Sequence, residues 1–115
     1  MCTKAQAMEI LQRAYFMCNS ALENCVHEAY LYGSYARGDF HEESDVDILL
    51  TAAIDIDDLA EYKTQHLIAD ICSRLSLEYD VTVSITVKPT AHFNKFLYDL
   101  PYYRNVVNEG IRYAG

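Results

Sequence analysis

The stretch LYGSYARGDFHEESDVDILL, residues 31–50, concentrates the residues that could do chemistry: a Gly33-Ser34 step, Arg37, and the aspartates Asp45 and Asp47. At i and i+2 of an extended segment, Asp45 and Asp47 project from one face with their carboxylates roughly 7 Å apart. Magnesium prefers hard oxygen ligands, and paired ions sit about 3.5 to 4 Å apart, so two such side chains can converge on metal bound to a nucleoside triphosphate. The plainer reading is a solvated edge at a strand start. Against it, Ile48, Leu49 and Leu50 follow at once, which puts the acids at the mouth of a buried strand, where unpaired carboxylates are costly. A strand ending in Gly-Ser and opening into a helix presents backbone N–H groups and a hydroxyl to an anion, and glycine lets a phosphate come close. The same two residues can equally be a turn glycine and an N-cap serine, and the Gly-Lys-Ser/Thr of a P-loop is absent. Arg37 adds a planar guanidinium that can bind phosphate oxygens bidentately, or lie idle in a polar loop.

These residues need a scaffold, and hydrophobic periodicity predicts one. From Thr3 as N-cap, Ala7, Ile10, Leu11, Ala14, Tyr15, Cys18, Ala21 and Leu22 recur at three and four, which predicts a helix to about Asn24. VHEAYLY (26–32) and DVDILL (45–50) read as strands, with room between them for only a short helix. DDLAEYKTQHLIADICSRLSL, from Asp57 or Asp58, reads as a second long helix with acids in its first turn. YDVTVSITV (79–87) alternates strictly and predicts a strand stopped by Pro89, with Thr90 capping a short helix to about Tyr98. A last helix begins with Pro101 in its first turn and ends before Gly110.

Composition limits the function. A chain of 115 residues with 51% hydrophobic content fits one domain, 1–115, with a single modest core. No signal peptide and no apolar run of membrane-spanning length stand out, so a cytoplasmic protein is expected. Cys2, Cys18, Cys25 and Cys72 lack metal or disulfide spacing and read as reduced thiols, and His27, His41, His66 and His92 are scattered. A net charge of −8 with nine scattered Lys and Arg disfavours direct polynucleotide binding and leaves small cation-escorted anions or another protein as partners.

Taken together, GSYARGDFHEESDVD, which is Gly-Ser, ten residues and Asp-x-Asp, resembles the signature of the nucleotidyltransferase superfamily that includes DNA polymerase beta and, in its small form, the minimal nucleotidyltransferase (MNT) domains. The tail LPYYRNVVNEGIRYAG is similar to the closing segment of bacterial members. The resemblance implies an α+β fold, a small mixed β-sheet flanked by helices. It also implies Mg2+ at Asp45 and Asp47, and ATP or another nucleoside triphosphate held by Gly33 and Ser34, with Arg37 as a phosphate contact. Ser44 joins the nucleotide-binding set, although its position suits a backbone cap better. A third carboxylate usually comes from a neighbouring strand; the candidate is Asp80, at the opening of YDVTVSITV, with Glu78 behind it and Thr82 and Ser84 at the deeper same-face positions.

Within the MNT group the resemblance points to pairs in which the transferase accompanies a helical HEPN toxin and neutralises it, by attaching AMP to a tyrosine or by binding alone. The acceptor would be brought by that partner or by a second copy of the chain. An enzyme, transferring AMP to a protein hydroxyl, and a non-catalytic binding module are both open on the sequence. Tyr32 and Tyr35 flank Gly33-Ser34 and could line a base pocket. A docking surface for the partner is expected beside the Gly33-Ser34 to Asp47 cleft, where LPYYRNVV (100–107) offers Tyr102, Tyr103 and Arg104, residue types enriched at interface hot spots, though the two tyrosines can equally close the core.

Overall fold

The computed structural model describes residues 2–114. Helix α1 (Lys4–Ala21) starts at Thr3, whose hydroxyl accepts from the Gln6 N–H at 3.1 Å while Gln6 Oε1 accepts from the Thr3 N–H at 2.9 Å, a reciprocal capping box. It stops at Ala21 rather than near Asn24, because Glu23 and Asn24 take left-handed backbone (φ 59° and 64°) and turn the chain into β1 (Val26–Tyr32), the predicted span. The short helix α2 (Ser34–Arg37) follows Gly33, and β2 (Val46–Ala52) follows the polar loop.

The predicted second long helix is two, α3 (Ile56–Leu59) and α4 (Tyr62–Tyr79). Leu59 and Ile68, both buried, are nine positions apart, and at about 100° per residue a continuous helix would point them to opposite sides. The break at Ala60–Glu61 lets both face inward, and Gln65 Nε2 donates to the Leu59 carbonyl at 2.6 Å. Tyr62, the first residue of α4, is 84% exposed.

Strand β3 (Val83–Pro89) begins at Val83, not Tyr79. Tyr79 finishes α4, and Asp80 caps it in the left-handed conformation (φ 52°), a backbone that Asp tolerates better than most residues. Pro89 ends the strand, tolerated because β3 is an edge strand. Helix α5 (Thr90–Phe96) lacks the predicted Thr90 cap; that hydroxyl meets His27 Nδ1 at 2.7 Å. Helix α6 (Pro101–Glu109) leads through Gly110 into β4 (Ile111–Ala114), a strand the sequence did not predict. A Cβ on Gly110 would run into the carbonyl oxygens of Val106 and Leu31.

The strands form one mixed sheet in the order β3-β2-β1-β4, parallel between β2 and β3 and antiparallel elsewhere. Alternation sends Leu31, Val46, Ile48, Leu50, Val83 and Val87 to the face covered by α1 and α4, the main core. The other face carries Tyr30 and Leu49 under α5 and α6, where Phe93, Tyr103 and Val106 close a smaller core. No helix among the described residues is long and apolar enough to cross a membrane.

The structure separates the two neighbouring tyrosines. Tyr102 is 39% exposed, whereas Tyr103 is 1% exposed, packs at 4.9 Å from the Phe93 ring centroid and shares a 2.9 Å hydrogen bond with His92 Nδ1. Tyr103 is thus core rather than docking surface. Tyr103→Ala should cost about 3–5 kcal/mol in urea unfolding, the range for emptying a buried aromatic site. A loss near about 0.5 kcal/mol, typical of surface changes, would mean that the ring does not close the second core.

Candidate functional site

Asp47 lies on the face shared with the smaller core, because its neighbours Val46 and Ile48 point into the larger one. Register places it between Tyr32 of β1 and Ser84 of β3, so these three side chains form a row across the sheet, with Tyr32 at the edge of the smaller core. Asp45, immediately before β2, is exposed; Asp47 is half-buried. Burial first, and then the negative charge of Asp45, hold the Asp47 carboxyl above the usual carboxylate range, and the Arg37 guanidinium partly offsets both.

Gly33 lies against this carboxylate. Its backbone (φ 77°, ψ −157°) occupies a region open essentially to glycine alone, and a Cβ there would sit 2.7 Å from Asp47 Oδ2. The carbonyl of Gly33 accepts from the N–H groups of Ala36 and Arg37, both at 3.1 Å, which closes the α2 turn. The Ser34 and Tyr35 N–H groups, first in the helix, have no partner within it.

The other predicted residues divide. Arg37 is near the row, with Nε 3.3 Å from Asp39 and a terminal nitrogen 3.6 Å from Glu109. Both ion pairs are exposed and worth at most about 1 kcal/mol each, so an arriving phosphate can displace them. Ser44 spends its hydroxyl on the His41 N–H at 2.9 Å and is a turn residue. Asp80 is not on the sheet: exposed at the end of α4, it shares with Ser44 and Asp45 a hollow of about 350 Å³. Glu78 is on α4, paired with Arg13. The β3 position beside Asp47 is held by Ser84, a hydroxyl. Tyr35 does not line a base pocket; it is fully buried, with its hydroxyl on the Cys2 carbonyl at 3.1 Å.

The segment 100–107, expected beside this cleft as a docking surface, does lie there as part of α6, but the residues that face the cleft are Tyr102, Asn105 and Glu109 rather than Tyr103 and Arg104. Tyr32, Gly33 and Arg37 face Tyr102, Asn105 and Glu109 across a cavity of about 250 Å³. The Tyr32 and Tyr102 hydroxyls are 2.8 Å apart, and burial, that bond and the charge of Asp47 push the Tyr32 phenol far above its ordinary range, so it stays protonated. The sequence placed this segment beside Gly33; which side of the helix turns toward the cleft depends on packing that the sequence does not show. A larger hollow of about 490 Å³, lined by Cys25, Ala53 and Asp58 among others, opens where β1 begins and β2 has just ended, away from Gly33 and Asp47.

Among the described residues no three His, Cys, Asp or Glu side chains gather as a metal-holding group. Two carboxylates suit magnesium nonetheless, since this ion commonly takes one or two protein carboxylates and completes its shell with phosphate oxygens and water. Burial and then the charge of Asp45 both disfavour an ionised Asp47, and a bound dication would offset both.

A family model described as a nucleotidyltransferase domain matches residues 17–113. Two Methanocaldococcus jannaschii chains, each named as a candidate protein adenylyltransferase, are similar in sequence. One is 38% identical over 85 residues, covering 74% of this chain and 75% of its own length. The other is 35% identical over 79 residues, covering 69% and 76%. In three dimensions the chain is similar to a crystal structure of a toxin–antitoxin pair with AMP-PNP, at a TM-score of 0.53 and 20% identity, over 97% of this chain and 73% of that one. It is also similar to a variant of the toxin–antitoxin pair MntA-HpeT, at 0.53 and 18% identity, over 98% and 74%. At these identities the structural likeness is one of fold.

Two outcomes follow from the geometry. Gly33→Ala should cost about 1–3 kcal/mol in backbone strain, and should push the Asp47 carboxylate aside, with loss of any ligand held there; an unchanged urea midpoint would contradict the close approach. Asp47 is raised in the folded state, so its ionised form subtracts stability above the raised pKa, and the subtraction fades as pH falls toward the ordinary carboxylate value. Asp47→Asn should therefore melt higher than wild type at pH 7 in metal-free buffer, with the gap closing toward about pH 3, where both states are protonated. A lower melting temperature for the variant at pH 7 would contradict this.

Proposed function

Because the chain belongs to the nucleotidyltransferase domain family, we propose that its cleft binds a magnesium nucleoside triphosphate, ATP, and transfers AMP to a tyrosine hydroxyl of a HEPN-type toxin partner, so acting as an antitoxin. The observation that carries this reading is the placement of Asp47, two residues after Asp45 at the start of β2, directly against the Cβ-less backbone of Gly33. Also in support are the M. jannaschii relatives named as candidate protein adenylyltransferases, and the fold shared with a toxin–antitoxin pair with AMP-PNP.

Each residue has a stated part. Gly33 lets the Asp47 carboxylate lie against the backbone where α2 begins, so that phosphate oxygens met by the first N–H groups of α2 stand beside the metal-holding acids. Arg37 exchanges Asp39 and Glu109 for phosphate. Magnesium, held by Asp45 and Asp47, would neutralise charge on the phosphates. The acceptor oxygen bonds to the α-phosphorus, the bond to the β-phosphate oxygen breaks, pyrophosphate departs, and the phenolic proton passes to solvent. Ser44 and Asp80 are given no part in transfer.

One observation favours a second reading, a nucleotide-binding antitoxin that works by occlusion: the row across the sheet supplies Ser84 where a third carboxylate would stand. The two readings separate on one experiment. Wild-type chain, ATP, magnesium and the product of the neighbouring gene are incubated, and intact mass is read on both proteins. AMP on a partner tyrosine, lost in Asp47→Asn, supports transfer; an unmodified but inactivated partner supports occlusion. By calorimetry, ATP should bind far more tightly with magnesium than with EDTA, and Asp47→Asn should erase the difference; equal wild-type affinities would end the metal reading. Asp80→Asn should keep turnover within roughly twofold of wild type, against the 10²- to 10⁴-fold loss expected for a general base.

A further inference from the structure

Residues 102, 105, 106 and 109 recur at i, i+3, i+4 and i+7, so one side of α6 carries them all. Val106, 1% exposed, is anchored in the smaller core and fixes how the helix is rotated about its axis. With that rotation set, Tyr102, Asn105 and Glu109 line the cavity opposite Gly33 and Arg37. From Tyr102 to Glu109 this wall extends about 10 Å at 1.5 Å per residue, the scale of a nucleoside.

Its chemistry differs from that of the phosphate side. Tyr102 is a fixed aromatic wall: its hydroxyl is tied to that of Tyr32 and its ring stands edge-on to the Tyr32 ring, with centroids 5.6 Å apart at 77°. The carboxylate of Glu109 is partnered by Arg37 at the far end. Between them the amide of Asn105 is exposed and, among the described residues, bonded to no protein group. An amide offers one acceptor and two donors side by side. That pattern matches the N6 donor and N7 acceptor of adenine, whereas the O6 and N7 of guanine are both acceptors and leave the amide oxygen facing an acceptor.

We propose that this face of α6 is the nucleoside subsite of the cleft, with Tyr102 packing against the base and Asn105 reading adenine. The inference rests on the cleft being a triphosphate site, since a triphosphate seated against Gly33 then carries its nucleoside toward α6. It adds residues that neither the Gly-Ser step nor the Asp-x-Asp pair contains, and it makes base preference a property of the last helix.

The test is calorimetric titration of the full chain with ATP, GTP and inorganic tripolyphosphate, each with magnesium, and with adenosine alone. Wild type should bind ATP roughly tenfold or more tightly than GTP, the scale of a bidentate base contact. Asn105→Ala, a change on an exposed helix surface, should bring ATP and GTP to equal affinity while tripolyphosphate binding stays as in wild type. If wild type shows no preference, or Asn105→Ala keeps it, the subsite is overturned. Tripolyphosphate binding that still needs magnesium and Asp47 would then leave the transferase reading standing. Adenosine binding that depends on Asn105, without tripolyphosphate binding, would instead support the subsite and overturn the phosphate site.

Discussion

The register between β1 and β2 sets Tyr32 opposite Asp47 and Leu31 opposite Ile48, and the cleft exists only in that register. Side chains alternate faces with period two, so a slip of one residue would turn Asp47 toward α1 and α4 and expose Ile48 on the far side. Such a slip is blocked many times over, since Val46, Ile48, Leu50 and Ala52 all belong to the main core. At about 1.5–3 kcal/mol for burying each larger aliphatic side chain, they outweigh the repulsion and desolvation felt by one half-buried carboxylate. The core therefore holds Asp47 in a place its own electrostatics disfavour.

The second face explains why that place is open. Helices α5 and α6 are short: they cover Tyr30 and Leu49 and reach Tyr32 through Tyr102, but leave Asp47 half-buried and Ser84 exposed further along the same row. A longer cover would bury the acids without partners; no cover would leave Leu49 in water. The partial cover leaves a cavity walled by Tyr32, Gly33 and Arg37 on one side and Tyr102, Asn105 and Glu109 of α6 on the other. Gly33 completes it, since any side chain there would occupy the space beside Asp47.

Much of this was legible in the sequence because it rests on local signals. The β1 strand, the Thr3 cap of α1, the Pro101 start of α6 and the Gly-Ser and Asp-x-Asp elements each depend on neighbours within a few residues. The failures are places where distant packing decides. Nothing in LAEY marks the break between α3 and α4, which comes from the need to bury Leu59 and Ile68 together. Alternation in YDVTVSITV continues smoothly through Asp80, yet helix α4 claims Tyr79, and the left-handed turn that follows removes Asp80 from the sheet. Strand β4 is four residues long and becomes a strand only by pairing with β1. Tyr102 and Tyr103 are identical as types, and only the rotation of α6 sends one to the core and the other to the cleft.

Exposure at the cleft bears on how a transferase of this shape would discriminate between a protein hydroxyl and water. Asp45 is exposed, Tyr102 is 39% exposed and the Arg37 side chain 45%, so a nucleotide lying between them stays in contact with solvent on one side. In so open a site water is an ever-present competing nucleophile, and the fixed dipoles of the site act through a high local dielectric that weakens them. On the proposed function, a macromolecular acceptor would change both conditions on docking, because the surface that brings the tyrosine would also displace water from around Arg37 and Asp47. The partner would then be more than a substrate. Its surface would supply the missing wall, and nucleotide bound without the partner would be held but not turned over.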